Sequence, residues 1–240
     1  MVLAIMISGI ISRNAEFPGK AGILMGGAKY KAAIFDLDGV LVDTAEYHYL
    51  AWNALANRIN APFSRQLNER LKGVSRSQSL EILLESVPNQ YSQIEKKCFM
   101  DEKNNTYVSY LQTLTKQNLL PGAEHCLLSL KKRGVKLALG TASKNAPLIL
   151  AKLGIHSVFD TIVDGNSVRK AKPDPEIFIS AADRMGVEYQ RCVVFEDSAA
   201  GIQAAICAGM YPIGVGEPEN LPHAQMWVDS LADFVPDNYF

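Results

Sequence analysis

The chain has 240 residues, 24 Lys plus Arg against 25 Asp plus Glu, and a formal net charge of −1. That length allows one large domain or two smaller ones around a proper core, and the even charge with no basic run or aromatic–basic interleaving excludes a nucleic-acid binder. The four cysteines (Cys98, Cys126, Cys192 and Cys207) show no metal-type spacing. Cys192, in a strand-like run, and Cys207, in a helix-like one, are expected to be small buried hydrophobes, and such usage fits a reducing cytoplasm.

Met1 to Ile11 is apolar but too short to span a bilayer, and it lacks the basic start and cleavage site of a secretory signal. A Gly/Pro-containing stretch, Phe17 to Ala28, reads as linker, and Met25-Gly-Gly-Ala-Lys-Tyr is a natural start. Residues 1–28 are therefore expected to be an extension, with residues 1–24 dispensable for activity. No membrane span and no protein partner is expected.

Ala32 to Phe35 reads as a buried parallel strand, because such strands are covered on both faces. Asp36, Asp38 and Gly39 follow at once. Carboxylates at the end of a buried strand are costly unless a cation sits there. At this point a cation site and an acid-capped turn are both open. Asp43 and Glu46 have the spacing of a capping box, so a helix is expected from about Ala45 to Ile59. Thr44, His48 and Trp52 recur every fourth residue along one of its faces, leading away from the acids. Trp52 is either core packing or a ligand contact.

Helical segments are expected at Leu67 to Leu71, Ser77 to Glu85 and Tyr91 to Thr115, broken by Gly73 and Pro88. Leu71-Lys-Gly-Val-Ser-Arg-Ser-Gln-Ser79 places hydroxyls, two cations and a glycine in one short loop, suited to an anionic or sugar-like ligand or to a solvated turn. From Pro121 the pattern alternates. Helices ending at Gly134, Gly154, Gly186 and Gly209 separate strands at Lys136 to Leu139, Thr161 to Val163, Cys192 to Phe195 and Tyr211 to Val215. The fold class is α/β. A doubly wound parallel sheet in residues 29–43 and 120–240 carries an inserted helical cap in residues 44–119.

The strand ends collect Asp36 and Asp38, then Thr141, Ser143 and Lys144, then Lys172, then Glu196 and Asp197. Ser198 is expected only to cap a helix. Asp36, Glu196 and Asp197 are hard oxygen ligands suited to Mg²⁺. Thr141 and the amides after it can donate to a phosphoryl group, and Lys172 can neutralise it. Asp36 is then the nucleophile, and Asp38 the acid and base that serves the leaving and attacking oxygens.

Phe-Asp36-Leu-Asp38-Gly-Val, strand-terminal Thr141, Lys172-Pro-Asp-Pro and Glu196-Asp-Ser with Gly201 resemble the haloacid dehalogenase superfamily and its Rossmann-like core. Asp43-Thr-Ala-Glu-Tyr-His48 with Trp52, Leu71-Lys-Gly-Val-Ser-Arg76, Thr141-Ala-Ser-Lys-Asn145 and Ile213-Gly-Val-Gly216 resemble its β-phosphoglucomutase family, over Lys29 to about Pro218. The resemblance implies interconversion of β-glucose 1-phosphate and glucose 6-phosphate through an aspartyl-phosphate and β-glucose 1,6-bisphosphate. It implies Mg²⁺ held by Asp36, the Asp38 backbone carbonyl, Glu196 and Asp197. It also implies that Arg76 grips the distal phosphate, with Ser143, Lys144 and Asn145 on the core side. Thr44 and His48 would couple cap closure to Asp38. The remaining substrate contacts it suggests are Trp52, Leu71, Lys72, Gly73, Val74, Ser75, Ser79, Lys103 and Ala142. The alternative is a sugar-phosphate phosphatase with the same nucleophile. The chain departs from the pattern in threonine at 141, the amino-terminal extension and the unmatched end after Glu219, where the final helix is uncertain.

Overall fold

A computed structural model describes residues 29–71 and 74–240. The expectations for residues 1–28, Lys72 and Gly73 lie outside the described residues. Six strands form one parallel sheet among the described residues: β1 (Ala32–Phe35), β2 (Lys136–Gly140), β3 (Thr161–Val163), β4 (Cys192–Glu196), β5 (Tyr211–Val215) and β6 (Met226–Val228). Their order is β3-β2-β1-β4-β5-β6, so the sheet winds in opposite directions on either side of β1. Ligands bind at such switch points, outside the carboxyl ends of the strands. Phe35 is level with Leu139 on one neighbour and Phe195 on the other, which brings the residues just beyond them to one rim.

Alternation along β1 feeds two layers. Ala33 and Phe35 join the apolar cluster under α5 (Ala123–Lys132) and α6 (Ala146–Leu153). Ala32 and Ile34 join the cluster under α7 (Glu176–Met185) and α8 (Ala199–Cys207). β6 was not expected from the sequence. It is a three-residue edge strand whose Trp227 remains partly exposed, too short to show a period. No α-helix follows it; the chain closes with a 3₁₀ turn at Pro236–Asn238.

Between β1 and α5 run α1 (Ala45–Arg58), α2 (Arg65–Glu69), α3 (Arg76–Leu84) and α4 (Gln93–Leu111). This helical block has its own apolar cluster, built on Trp52, Leu55, Leu80, Leu83 and Phe99. Ala51, Tyr107 and Leu111 instead join the sheet's cluster and root the block there. The two connections touch: the Leu120 amide donates to the Leu41 carbonyl at 2.9 Å, and Val42 bridges Leu119.

Three local expectations are corrected. Asp43 and Glu46 form no capping box: Asp43 Oδ1 accepts from the Ala45 amide at 2.9 Å, while Glu46 pairs with Arg65, nineteen residues on. The Leu71–Ser79 stretch is not one loop, because Ser75 caps α3 in a capping box with Gln78, so its second half is helical. Cys207 lies on the exposed side of α8 and is not buried, whereas Cys192 is. Among the described residues, no helix is long and apolar enough to cross a membrane.

Candidate active site

A cavity of about 910 Å³ lies between the sheet's carboxyl rim and the helical block. Asp36, Asp38, Thr141, Ala142, Ser143, Lys144, Asn145, Lys172 and Asp197 line it from the sheet side. His48, Trp52, Leu71, Val74, Ser75, Arg76, Ser79 and Lys103 line it from the helices. Thr44 and Glu196 do not reach the cavity wall; both are fully buried behind it.

On the sheet side, β1 delivers Asp36 and β4 delivers Glu196, with Lys172 between them. Lys172 Nζ donates to Asp36 Oδ1 at 2.8 Å and also to Glu196 Oε1. Burial pushes the Asp36 carboxyl up to about 7; Lys172 pulls it back, while Glu196 and Asp38 add to the rise. Burial works against the Lys172 ammonium, but Asp36 and Glu196 more than offset it, so Lys172 stays firmly protonated. Thr141, 1% exposed, accepts from the Ser143 amide at 3.1 Å. Ser198 does cap α8, accepting from the Gly201 amide at 3.1 Å, and its own amide donates to Glu196 Oε2 at 2.8 Å.

The Asp36, Glu196 and Asp197 carboxylates offer oxygens within 4.8 Å of one another. Set against one ammonium, these three acids leave two excess negative charges, which matches one divalent cation. Two glycines make the room. A Cβ at Gly201 would lie 1.8 Å from Glu196 Oε1, and one at Gly39 would lie 1.9 Å from Asp197 Oδ2. Gly39 also needs its φ of +81°, which side-chain-bearing residues rarely adopt. The donor set and its clearance fit Mg²⁺.

The helical side is built from hydrogen bonds rather than ion pairs. Thr44 Oγ1 donates to Asp38 Oδ1, and the buried Tyr107 hydroxyl donates to Thr44 Oγ1 at 3.2 Å. Burial raises the Asp38 carboxyl, and the Thr44 bond opposes that rise. Lys103 Nζ and His48 Nδ1 share a hydrogen bond at 2.9 Å, and when the lysine is protonated it is the donor and the imidazole proton sits on Nε2. Burial, then Lys103 and Arg76, hold His48 well below its usual range, so the ring is neutral. Burial and then Arg76 bring Lys103 down to about 7. Its ammonium also faces the Trp52 ring at 5.0 Å, so Trp52 packs in the helical core and lines the cavity at once. Arg76 Nη2 donates to Asn104 Oδ1 at 2.7 Å, and Asn145 Nδ2 donates to the same oxygen at 2.9 Å.

Asn104 and Tyr107 were not singled out from the sequence. Both lie on α4, and Tyr107 follows Lys103 by one helical turn, a spacing that places them on one face. That spacing was the available signal for Tyr107. Asn104 had none, since the helix around it is rich in polar residues.

Chemically, the sheet side can hold a cation, a nucleophile and a phosphoryl group. The helical side adds a hydroxyl that fixes the Asp38 carboxyl and a second set of groups able to bind an anion.

A family model described as haloacid dehalogenase-like hydrolase matches residues 30–209. A β-phosphoglucomutase of Bacillus subtilis is 44% identical over 205 residues, covering 85% of this chain and 91% of that protein. A phosphorylated carbohydrates phosphatase of Thermotoga maritima is 35% identical over 183 residues, covering 75% of this chain and 82% of that one. Among solved structures, a β-phosphoglucomutase from Clostridium difficile superposes with a TM-score of 0.84 at 42% identity, covering 88% of this chain and 97% of that chain.

Proposed function

The chain belongs to the haloacid dehalogenase-like hydrolase family, and we propose that it is a β-phosphoglucomutase. In this reading it interconverts β-glucose 1-phosphate and glucose 6-phosphate through an aspartyl-phosphate on Asp36 and β-glucose 1,6-bisphosphate. The observation that carries it is a cavity lined by a separately held cationic side chain on each of its two sides. Lys172 is bound to Asp36, and Arg76 is oriented beside Asn145 by a neutral amide. A monophosphatase needs one anion site, whereas a sugar bisphosphate needs two.

The bisphosphate transfers first. Asp36 Oδ attacks the phosphorus of one phosphate, the bond to the sugar oxygen breaks, and Asp38 supplies the proton that oxygen takes up. When the transferred phosphate is the one on C1, glucose 6-phosphate leaves, and an incoming β-glucose 1-phosphate presents its 6-hydroxyl, so that the second transfer regenerates the bisphosphate. Asp38 removes the proton from that hydroxyl as its oxygen attacks the aspartyl-phosphate, so Asp36 and Asp38 return to their starting states. Thr141 and the Lys172 ammonium hold the transferring phosphoryl group; Arg76 holds the distal one, with Ser143, Lys144 and Asn145 on the core side. When bound by Asp36, the Asp38 carbonyl, Glu196 and Asp197, Mg²⁺ offsets the repulsion between carboxylate and phosphate.

The helical block, residues 44–119, acts as a cap. A phosphoenzyme exposed to water hydrolyses, so transfer to sugar requires Asp38 to be in place only when the block is closed. Thr44 donates to Asp38 from the start of that block, which supports this order of events. His48, Trp52, Ser79 and Lys103 contribute the sugar-facing wall, with Leu71, Val74, Ser75 and Ala142 around them. A phosphorylated sugar is the partner in this reading, and the cytoplasm is its place of work.

Phosphorus NMR of the protein with Mg²⁺ and β-glucose 1-phosphate, primed with the bisphosphate, tests the reading. Glucose 6-phosphate is the expected product. Free glucose and inorganic phosphate alone would make the chain a sugar-phosphate phosphatase.

A further inference from the structure

Asn104 belongs to neither set of cavity-lining groups, yet it touches both. Its Oδ1 accepts from Arg76 Nη2 at 2.7 Å and from Asn145 Nδ2 at 2.9 Å, so both lone pairs of one amide oxygen are used. The three residues come from three elements. Arg76 opens α3, Asn104 lies within α4, and Asn145 stands at the start of α6, on the sheet side. One oxygen therefore ties two helices of the block to the rim they cover.

The chemistry of this acceptor matters. A carboxylate at 104 would orient Arg76 equally well but would also neutralise it. An amide fixes the guanidinium in direction and leaves its charge for an anion. Arg76 is itself half-buried, and burial bears on it before any other influence, favouring loss of its proton. Asp101 offsets that burial only in part, and the side chain that orients Arg76 is a neutral amide, so the guanidinium is ready to receive a phosphate. The Asn145 amide is turned to the same point, so the same contact that closes the block also assembles the groups for the second phosphate.

We propose that Asn104 is a positioning residue that couples closure of the helical block to formation of the distal-phosphate site, by holding Arg76 and Asn145 on one oxygen. This rests on the mutase reading for the identity of the ligand, a sugar bisphosphate. Asn104 acts through Arg76 and Asn145 and makes no contact with the reacting phosphoryl group.

The test compares glucose 1,6-bisphosphate with phenyl phosphate, which has no second phosphate, by titration calorimetry with Mg²⁺ in an Asp36→Asn background that cannot take up a phosphoryl group. Asn104→Leu keeps the side-chain shape and removes the acceptor. It is expected to weaken bisphosphate binding about 10-fold or more, as for loss of a hydrogen bond to a charged group, and to change phenyl phosphate binding less than about twofold. In an Arg76→Ala background most of that loss should vanish, a non-additivity that a merely structural role would not produce. Unchanged bisphosphate affinity, equal losses on both ligands, or a full loss persisting without Arg76 would each overturn the proposal. If Asn104→Leu does not fold, Asn104→Ala carries the same comparison, because it removes the acceptor without adding bulk. The mutase reading fails separately: wild-type protein that yields only glucose and phosphate defeats that reading, while the binding comparison still decides the role of Asn104.

Discussion

Two buried lysines face the same cavity from opposite sides. Lys172, on the sheet side, is 1% exposed and sits between Asp36 and Glu196. Lys103, on the helical side, is 2% exposed and meets a neutral His48, with aromatic rings around it. The first is held protonated by its acids; the second is brought down to about 7 by burial and by Arg76. The sheet side carries its own counter-charges, with an excess that suits one divalent cation. The helical side has gathered cations, Arg76 and Lys103, without pairing them to carboxylates, and an anionic ligand would complete it. In the proposed reading, covalent chemistry falls to the sheet side and choice of substrate to the helical side.

The difference is sharpest at the nucleophile. Asp36→Asn should abolish turnover of both sugar phosphates and simple aryl phosphates, by at least about 10⁴-fold, the scale seen when a covalent nucleophile is removed. Retained aryl phosphatase activity would mean that the sheet side does not perform the covalent step.

The next largest effect tests the unpaired lysine. Lys103 binds fewer protons in the folded chain than in the unfolded one wherever the pH lies between about 7 and its ordinary value of 10.5. Its cost is therefore fully present below about pH 7 and fades as the pH rises towards 10.5. A shift of that size corresponds to a few kcal/mol, on the order of 3–5. Lys103→Met should accordingly be more stable than wild type at pH 6–7 by an amount that shrinks steadily up to pH 10. Urea midpoints at pH 6.5, 8.5 and 10 give the slope. A constant difference would show that Lys103 is not held against its charge, and the contrast between the two lysines would collapse.

Gly201 probes the cation's place on the sheet side. Its missing side chain leaves room for Glu196, since a Cβ there would stand 1.8 Å from Oε1. Gly201→Ala should displace that carboxylate and lower Mg²⁺ affinity about 10- to 100-fold, the usual penalty for disturbing ligand support. Titrating Mg²⁺ into the apo-protein measures it. An unchanged Mg²⁺ requirement would remove Glu196 from the ligand set.

The same contrast governs what could be read from the sequence. β1 and β5 were legible to the residue because a strand buried along nearly its whole length is an apolar run with sharp ends, and β3, a half-buried edge strand, because Asp160 and Asp164 bracket it. The acids that follow such runs stood out for the same reason, and the sheet-side groups could be gathered from strand ends alone. The helical side depends on contacts between distant segments. Glu46 is spaced to cap its own helix but finds Arg65, and no local rule foresees that choice. Asn104 is one polar residue among many on α4, and its meaning comes from Arg76 and Asn145, 28 and 41 residues away. β6 escaped because three residues at a sheet edge carry no periodicity.

The smallest effect bears on a second line of hydrogen bonds that crosses between the sides. Tyr107 donates to Thr44 and Thr44 donates to Asp38, so a helix of the block steadies the acid/base through one intermediary. Burial raises the Tyr107 phenol well above its usual range, which keeps it a donor throughout the working pH range. Tyr107→Phe removes the hydroxyl and little else. Losing one neutral hydrogen bond costs about 0.5–1.5 kcal/mol, or roughly a two- to twelvefold change in a rate. If the bond positions Asp38, kcat for glucose 6-phosphate formation should fall by that factor, with KM for the bisphosphate and Mg²⁺ affinity unmoved, because the hydroxyl's hydrogen bond goes to Thr44. The split matters more than the size. A rise in KM with unchanged kcat would place Tyr107 with the phosphate-binding groups, and the helical side would then select the substrate without controlling the proton.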